Sequence, residues 1–311
     1  MPEFRSEQSA FPSAPVASVP ARRPAPVRAW ISAMGLQMTV VVLLQVAFAL
    51  AVARQVGTLS TGRALLTLAL FVPESIARRL LNDYDDYKRG VDVPETARKG
   101  GALALGLSME RVRAVGLVCF TAGIAALGWL LWTANPWSLL VLPLSFGMLV
   151  YSGGPVPLGH RGLGEVMDFV INGFYVVAVV VWVNVRALPF EAVMAATAAG
   201  FLFTATMFHN DLRDSAEDLR AGKRTLAHAL SPRASKVWYA LFVLTPYPCV
   251  ALIAYTFDSL RFAAPLLTLP HALWLVAGVT RSRLGGTMPS WMHLPRLLAS
   301  FFALLALAAW I

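Results

Sequence analysis

Long apolar stretches that carry no charge constrain this chain more than any other feature of its sequence. The stretch from Ala114 to His160 holds no Asp, Glu, Lys or Arg, and Asn135-Pro136 interrupts it at a point typical of a turn. A bilayer core requires about 20 apolar residues per helix, so we expect two helices joined by a very short loop here. With 57% hydrophobic and 14% charged residues and a mean hydropathy of +0.63, the 311-residue chain lacks the surface of a soluble protein.

Nine apolar stretches predict an all-α, polytopic membrane protein with about nine transmembrane helices. The predicted spans are 29–53, 61–82, 114–134, 137–151, 163–184, 190–210, 235–257, 261–280 and 294–311. Residues 1–27 are rich in Pro, Ala and Ser and are expected to form a disordered basic tail before one membrane domain, 28–311. The first apolar run is longer than the core of a signal peptide, so no cleavage is expected.

The distribution of basic residues predicts the orientation in the membrane. With a cytoplasmic N-terminus, all but four of the 26 Lys and Arg residues fall on the cytoplasmic side. The exceptions are Arg54, Arg63, Arg186 and Arg261. This bias explains the net charge of +9, which taken alone suggests a nucleic-acid binder, through topology and attraction to anionic lipid. We therefore expect an integral protein of the bacterial inner membrane without a nucleic-acid partner.

Two acidic clusters follow spans two and six, on the same predicted side of the membrane. The first is NDYDDYKRGVD (82–92) and the second is NDLRDSAEDLRAGKRT (210–225). Like charges repel, so two carboxylate clusters near one cavity indicate a cation that joins them. Oxygen ligands interleaved with Lys and Arg are typical of Mg²⁺ bound together with a phosphate-bearing substrate.

The spacing within each cluster supports a metal site. Asn82 and Asp86 are four residues apart, as are Asp214 and Asp218, so each pair projects from one helix face. The alternative is a pair of solvated helix ends with charged caps, and one DxxxD pair alone does not exclude it. Two clusters with basic neighbours, in an otherwise acid-poor chain, favour two Mg²⁺ ions on a diphosphate. The basic residues that would neutralise the remaining phosphate charge are Lys88, Arg89, Arg161, Lys223 and Arg224.

Three motifs resemble those of a known family. The segments NDYDDYKRGVD and DLRDSAEDLRAGKRTLA resemble the two aspartate-rich motifs of the UbiA superfamily of intramembrane prenyltransferases. A third segment, YSGGPVPLGHRGLGEV (151–166), resembles one found between spans four and five in the branch of the menaquinone-pathway naphthoate prenyltransferases. The three segments occur in the order of the family and together cover about a fifth of the chain, which makes them a stronger signal than either acidic cluster alone.

The resemblance implies a helical bundle around a central cavity that opens to lipid. It implies a prenyl diphosphate donor and an aromatic acceptor, by default 1,4-dihydroxy-2-naphthoate. The implied metal residues are Asn82, Asp86, Asp214 and Asp218. Asp83 and Asp92 would either belong to the metal shell or keep the loop ordered. The implied diphosphate contacts are Lys88, Arg161, Lys223 and Arg224, and Tyr151 lines the path of the allylic cation. Arg161 and Arg224 are also explained as snorkelling surface residues, and Tyr151 as an interfacial tyrosine.

Several residues depart from the pattern of this branch. Glu74 and Arg78 lie in span two, where i,i+4 pairing is expected. Asp168 and Asn172 lie in span five, and Asp168 is a candidate base on the acceptor, a group that orients a hydroxyl, or the partner of a nearby arginine. Because these departures affect the acceptor more than the donor, a specialised aromatic prenyltransferase and a membrane terpene cyclase remain alternatives.

A transporter is the alternative from another functional class, because polar residues at membrane depth often mark substrate pathways. Against it, the acids concentrate in the predicted loops, and the sequence has no matching pair of Gly/Pro-broken spans. An Mg²⁺-dependent enzyme is therefore the favoured hypothesis.

Overall fold

The computed structural model describes residues 27–94, 101–151, 153, 157–220, 222–282, 289 and 292–310. Over these residues the chain is helical, and its one extended pairing is an isolated parallel bridge between Arg161 and Arg224. The all-α prediction is therefore confirmed. The predicted N-terminal tail lies outside the described residues, apart from Val27.

The helices differ in length from single turns to 28 residues. In chain order they are α1 (Val27–Ala33), α2 (Leu36–Val56), α3 (Thr61–Lys88), α4 (Met109–Ala134), α5 (Gly147–Tyr151), α6 (Gly164–Met167), α7 (Val176–Val185), α8 (Phe190–Arg213), α9 (Ser215–Arg220), α10 (Leu226–Ala229), α11 (Pro232–Leu244), α12 (Pro246–Thr256), α13 (Leu269–Arg281) and α14 (His293–Trp310). Segments of 3₁₀ helix at Pro136–Phe146 and Leu260–Thr268 precede α5 and α13, and a π-helical segment, Asp168–Tyr175, joins α6 to α7.

Six helical stretches of the described chain are long and apolar enough to cross a membrane. They are Leu36–Val56, Met109–Ala134, Gly164–Val185, Phe190–Arg213, Pro232–Thr256 and Leu260–Arg281. The other three predicted spans correspond to α3, which carries several charged residues, and to the shorter apolar helices at Pro136–Phe146 and in α14. The chain is thus an integral membrane protein, whereas the number of nine crossings and the cytoplasmic N-terminus stay predictions.

The first predicted span, 29–53, is not one helix. Gly35 adopts a left-handed conformation with φ +64°, which separates α1 from α2. Glycine populates this region without steric cost. Ala29 and Ala33 of α1 then pack in one cluster with Leu80 of α3 and Leu107. Hydropathy alone could not reveal this break, because both sides of it are apolar.

The helix α8 runs through the centre of the bundle, and it packs most closely against the π-helical segment. A Cβ atom on Gly173 would lie 2.1 Å from the Cα of Gly200, so the two backbones touch. A π-helical turn leaves carbonyl groups without their usual partners. Here the side-chain amide of Gln45 donates to the carbonyls of Asn172, at 2.9 Å, and Gly173, at 3.1 Å. This contact fixes the segment that carries Asp168 against α2 and α8.

Candidate active site

The first acidic motif forms the last turns of α3. As the spacing predicts, Asn82 and Asp86 share a helix face, and the Asn82 amide donates to Asp86 Oδ2 at 2.9 Å. The His160 Nε2 atom lies 3.9 Å from Asp86 Oδ1. Lys88 is exposed at the end of the helix. Asp86 is therefore held between an amide of its own helix and an imidazole of the third motif.

Asp83 lies on a different side of α3 and is buried. Its Oδ2 atom accepts a hydrogen bond from the backbone N–H of Ala102 at 2.9 Å, and its Oδ1 atom lies 3.5 Å from Arg79 Nε. The backbone N–H of Asp92 donates to the carbonyl of Asp86 at 3.3 Å and closes the turn after α3. This geometry favours a role in loop order for Asp83.

The second acidic motif surrounds the end of α8 and the short helix α9. Asp214 caps α8 and accepts two hydrogen bonds from the neighbouring Arg213 guanidinium. Asp218 is buried, and its Oδ2 atom lies 3.1 Å from Lys223 Nζ. Lys223 Nζ also lies 3.6 Å from Oδ1 of Asp211, a buried residue one helical turn before Asp214. One ammonium group thus bridges two carboxylates.

Electrostatics keep Lys223 charged. Burial disfavours its ammonium form, but the carboxylates of Asp211 and Asp218 outweigh burial and raise the pKa of Lys223 above its usual value, with a further contribution from Asp86. Burial raises the pKa of Asp218, while Lys223 opposes that rise. Since Asp86 belongs to the first motif and Asp218 to the second, Lys223 lies in the field of both acidic motifs.

The loop after α9 is fixed by His228. The Thr225 backbone N–H donates to His228 Nδ1 at 3.1 Å, and His228 Nε2 lies 2.8 Å from the Ser215 carbonyl, which can only accept. These partners require the tautomer with hydrogen on Nε2. These two hydrogen bonds hold the segment around Lys223 against the start of α9.

The third motif joins the other two. The backbone N–H of Arg224 donates to the His160 carbonyl at 3.1 Å, and Arg161 forms the parallel bridge with Arg224. Both arginine side chains are exposed. His160, beside Asp86, therefore connects the end of α3 to the loop that carries Lys223, and the three separated motifs form one site.

Tyr151 lies beside this site, against Gly159 and Met207. A Cβ atom on Gly159 would lie 2.9 Å from the Tyr151 ring, so the glycine makes room for the tyrosine, and the phenol donates to Met207 Sδ at 3.0 Å. Four carboxyl groups lie within electrostatic range of its hydroxyl. They are those of Asp86, Glu165, Asp168 and Asp211.

The departures from the branch pattern have partners in the bundle. Glu74 and Arg78 form the expected i,i+4 ion pair at 2.7 Å. Asp168 is buried and accepts a hydrogen bond from the side-chain amide of Asn172, one turn later. The sequence shows no residue of opposite charge close to Asp168 in the chain. Its observed partner, Asn172, is itself one of the residues that depart from the branch pattern.

The predicted metal residues carry oxygen atoms suited to a hard cation, but in the described chain these atoms do not converge on one point. Asn82, Asp86, Asp214 and Asp218 offer the oxygen atoms that Mg²⁺ prefers. Within the described chain, however, no three His, Cys, Asp or Glu side chains converge on one point. Asp214 and Asp218 instead pair with Arg213 and Lys223. A metal bound here would depend on ligands from the substrate as well as from the protein.

Comparison with known proteins identifies the family. Residues 40–305 match the UbiA prenyltransferase family. The chain belongs to this family. The prediction of a membrane prenyltransferase is thereby confirmed.

Two relatives and one solved structure refine this result. The 1,4-dihydroxy-2-naphthoate octaprenyltransferase of Mycobacterium leprae (strain TN) is 30% identical over 228 residues, 72% of this chain and 76% of that protein. The protein of the same name from Bacillus subtilis (strain 168) is 29% identical over 157 residues, 49% of this chain and half of that protein. A UbiA homologue from Archaeoglobus fulgidus, bound to DMAPP and Mg²⁺, has a TM-score of 0.62 at 14% identity and covers 91% of this chain and 99% of that one. This last similarity shows the UbiA fold.

Three residues of the site were not among the predicted site residues. They are His160, which lies near Asp86, Asp211, which pairs with Lys223, and Glu165, a neighbour of Asp211. Asp211 lies three residues before Asp214, so the helical repeat was a signal that both face one side of α8. His160 precedes Arg161 in the third motif but gives no signal by itself, because its contact with Asp86 depends on tertiary structure.

Proposed function

We propose that this UbiA-family protein transfers an isoprenoid chain from a prenyl diphosphate to an aromatic acceptor in an Mg²⁺-dependent reaction within the membrane. The observation that carries the proposal is the position of Lys223, which binds Asp211 and Asp218 and lies in the field of Asp86. Oxygen donors around a buried cation are suited to a diphosphate with its metal ions.

The residues divide into two functional groups. Asn82, Asp86, Asp214 and Asp218 would hold Mg²⁺, which when bound neutralises negative charge on the leaving diphosphate. Lys88, Arg161, Lys223 and Arg224 would bind the phosphate oxygens. Asp83 and Asp92 would keep the loop after α3 in place and thereby position Asp86.

The reaction itself requires few side chains. The allylic C–O bond of the donor breaks, and its electron pair leaves with the diphosphate. A carbon of the acceptor ring forms the new C–C bond and then loses its proton. Tyr151 would line the path of the allylic cation, and Asp168, oriented by Asn172, would accept the ring proton. The surrounding apolar bundle excludes water, which would otherwise capture the cation.

The default acceptor is 1,4-dihydroxy-2-naphthoate. The relatives from Mycobacterium leprae and Bacillus subtilis, which both carry this name, support the choice. We also propose that the protein lies in the bacterial inner membrane with the site on the cytoplasmic side, because the basic residues concentrate there under the predicted topology.

Product analysis tests the proposal. Purified protein in nanodiscs is incubated with Mg²⁺, labelled geranyl, farnesyl or longer diphosphates, and a panel of phenols that includes 1,4-dihydroxy-2-naphthoate and hydroxybenzoate. We expect a prenylated naphthoate-derived product that disappears with EDTA or in the Asp86→Ala and Asp214→Ala variants. A cyclised hydrocarbon without acceptor would indicate a terpene cyclase. No diphosphate release from any donor would contradict the enzyme assignment.

A further inference from the structure

A groove opens on the outer side of the helical stretch Pro232–Thr256. Tyr239 and Val243 of this stretch are fully buried in the bundle, whereas Val237 and Leu241 are 59% and 47% exposed. The two exposed side chains belong to the lining of the groove, whose volume is about 520 Å³. Because the stretch is long and apolar enough to cross a membrane, the groove faces lipid chains rather than water.

The groove is apolar along its length and basic at one end. Along the helical stretch its lining begins at Lys236 and ends at Pro248, 12 residues later, which corresponds to about 18 Å along a helix axis. Besides Lys236, the only polar side chains of the lining are those of Thr245 and Thr280. Half of the hydrocarbon core of a bilayer is about 15 Å thick. The groove therefore has the length of a lipid chain within one leaflet.

The ammonium group of Lys236 is fixed at the basic end of the groove. It donates hydrogen bonds to the carbonyls of Thr280, at 2.7 Å, and Ser282, at 3.1 Å, where α13 ends. Both carbonyls are neutral, so these contacts position the ammonium group without neutralising its charge. An ammonium group has three N–H donors, and in the described chain one of them remains for a ligand.

Two exposed arginines add positive charge at the same end. Arg233 precedes Lys236 by three residues and so lies on the same helix side, and Arg281 lies between the two residues whose carbonyls bind Lys236. Residues 219–311 contain a single acidic residue, Asp258, which follows the other end of the helical stretch. In the described chain the three cations form no ion pair. This end of the groove therefore attracts an anion.

We propose that the groove binds an anionic phospholipid. One acyl chain would lie along α11 and α12, and the phosphate group would contact Arg233, Lys236 and Arg281. A phosphodiester carries one negative charge, and its oxygen atoms accept charge-assisted hydrogen bonds from such cations. The proposal is independent of the proposed function, because lipid binding requires neither a prenyl donor nor an aromatic acceptor.

A prenyl diphosphate also combines an apolar chain with an anionic group, but two features favour the phospholipid. The groove faces away from Tyr239, whose ring lies 5.7 Å from that of His209 on α8, so α11 separates the groove from the helix that leads to the second acidic motif. A diphosphate is suited to Mg²⁺ held by carboxylates. The cations at the basic end of the groove, by contrast, pair with no carboxylate over the part of the chain that the structure describes.

Native mass spectrometry of the delipidated protein in detergent tests the proposal. The protein is titrated with phosphatidylglycerol, which is anionic, and with phosphatidylcholine of the same acyl chains, which is zwitterionic. For the first lipid bound, we expect a Kd at least about tenfold lower for phosphatidylglycerol. A basic residue near a membrane surface contributes about fivefold to the binding of an anionic lipid, so Arg233→Gln combined with Arg281→Gln should raise this Kd about 25-fold.

Matched variants separate the groove from the rest of the surface. Arg111→Gln combined with Arg261→Gln removes the same charge at exposed positions elsewhere and should change the Kd less than about twofold. Ala240→Phe fills the groove and should weaken the binding of both lipids. Ala251→Phe adds the same ring at an exposed position of α12 outside the lining and should leave both Kd values unchanged. Thermal unfolding without lipid should agree among all variants, because none of these side chains is buried.

Three results would overturn the proposal. They are equal affinity for the two lipids, an unchanged Kd for phosphatidylglycerol when Arg233 and Arg281 are replaced, and equal effects of the two Phe substitutions. Displacement of the bound phosphatidylglycerol by farnesyl diphosphate would assign the groove to the prenyl donor instead and would also overturn it. All of these results are distinguishable from a failure of the proposed function, which concerns product formation and leaves the lipid titration unaffected.

Discussion

Lys223 is the residue on which the charge balance of the site depends. Its ammonium group lies 3.1 Å from Asp218 and 3.6 Å from Asp211, and both acids are buried. Removing one partner of a buried ion pair leaves an uncompensated charge, which is more costly than the pair is favourable. The lysine therefore stabilises the fold, and under the proposed function it also binds phosphate oxygens.

We expect Lys223→Met to lower the free energy of unfolding by about 3–5 kcal/mol, because two buried carboxylates lose their shared cation. Thermal unfolding in detergent measures this loss. Donor turnover should fall in parallel. The exposed Arg220, one turn of chain away, provides the control, since Arg220→Met should keep the stability of the unchanged protein. Equal stability of the two variants would contradict the bridging role.

Asp83 and Asp86 should separate stability from catalysis. Asp83→Ala leaves the buried N–H of Ala102 without an acceptor, which should cost about 1–3 kcal/mol of unfolding free energy. Asp86→Ala should leave stability nearly unchanged and abolish diphosphate release. Unfolding curves and a release assay on both variants check this. A stable Asp83→Ala protein with a raised Mg²⁺ requirement would instead place Asp83 among the metal ligands.

Local spacing predicted some of these contacts and could not predict others. The Asn82–Asp86 hydrogen bond and the Glu74–Arg78 ion pair follow from the helical repeat, because residues four apart share a face. The approach of His160 to Asp86 joins residues far apart in sequence, so it depends on how helices pack. The sequence therefore predicts which residues carry charge, while tertiary structure decides which charges meet.

At the scale of elements, the contact between α8 and the π-helical segment depends on two glycines. Gly173→Ala should destabilise the protein by about 1–3 kcal/mol, because the new methyl group would lie 2.1 Å from the backbone of Gly200. Gly62→Ala, in α3 with nothing within 4 Å of the added group, should be neutral or stabilising. Thermal unfolding of both variants decides this, and equal loss in both would count against close packing.

The apolar stretches located the helices but not their internal irregularities. Six of the predicted spans coincide with helices long and apolar enough to cross a membrane. The break at Gly35 and the π-helical segment Asp168–Tyr175 went undetected. Both are changes of backbone hydrogen bonding within apolar sequence, and hydropathy reports only which residues avoid water.

At the scale of the whole molecule, the three motifs contact one another, so they must lie on the same side of the membrane. Ala216 lies exposed in the second motif, and Arg261 lies exposed at the start of a later helical stretch that the topology places outside. In a background without Cys119 and Cys249, we expect Ala216→Cys to react with a membrane-impermeant maleimide only in inverted vesicles. Arg261→Cys should react in intact cells. The reverse pattern would invert the predicted orientation.

The π-helical segment has a consequence for how this chain tolerates changes in length. A π turn accommodates one residue more than an α turn, so Asp168–Tyr175 amounts to a one-residue insertion in an otherwise regular helix. Deleting one residue there would let a continuous α-helix form from Gly164 to Val185. It would also rotate Glu165 by about 100° relative to α7 and carry it away from Asp211. The number of residues in the π-helical segment therefore determines the direction in which the buried Glu165 side chain points.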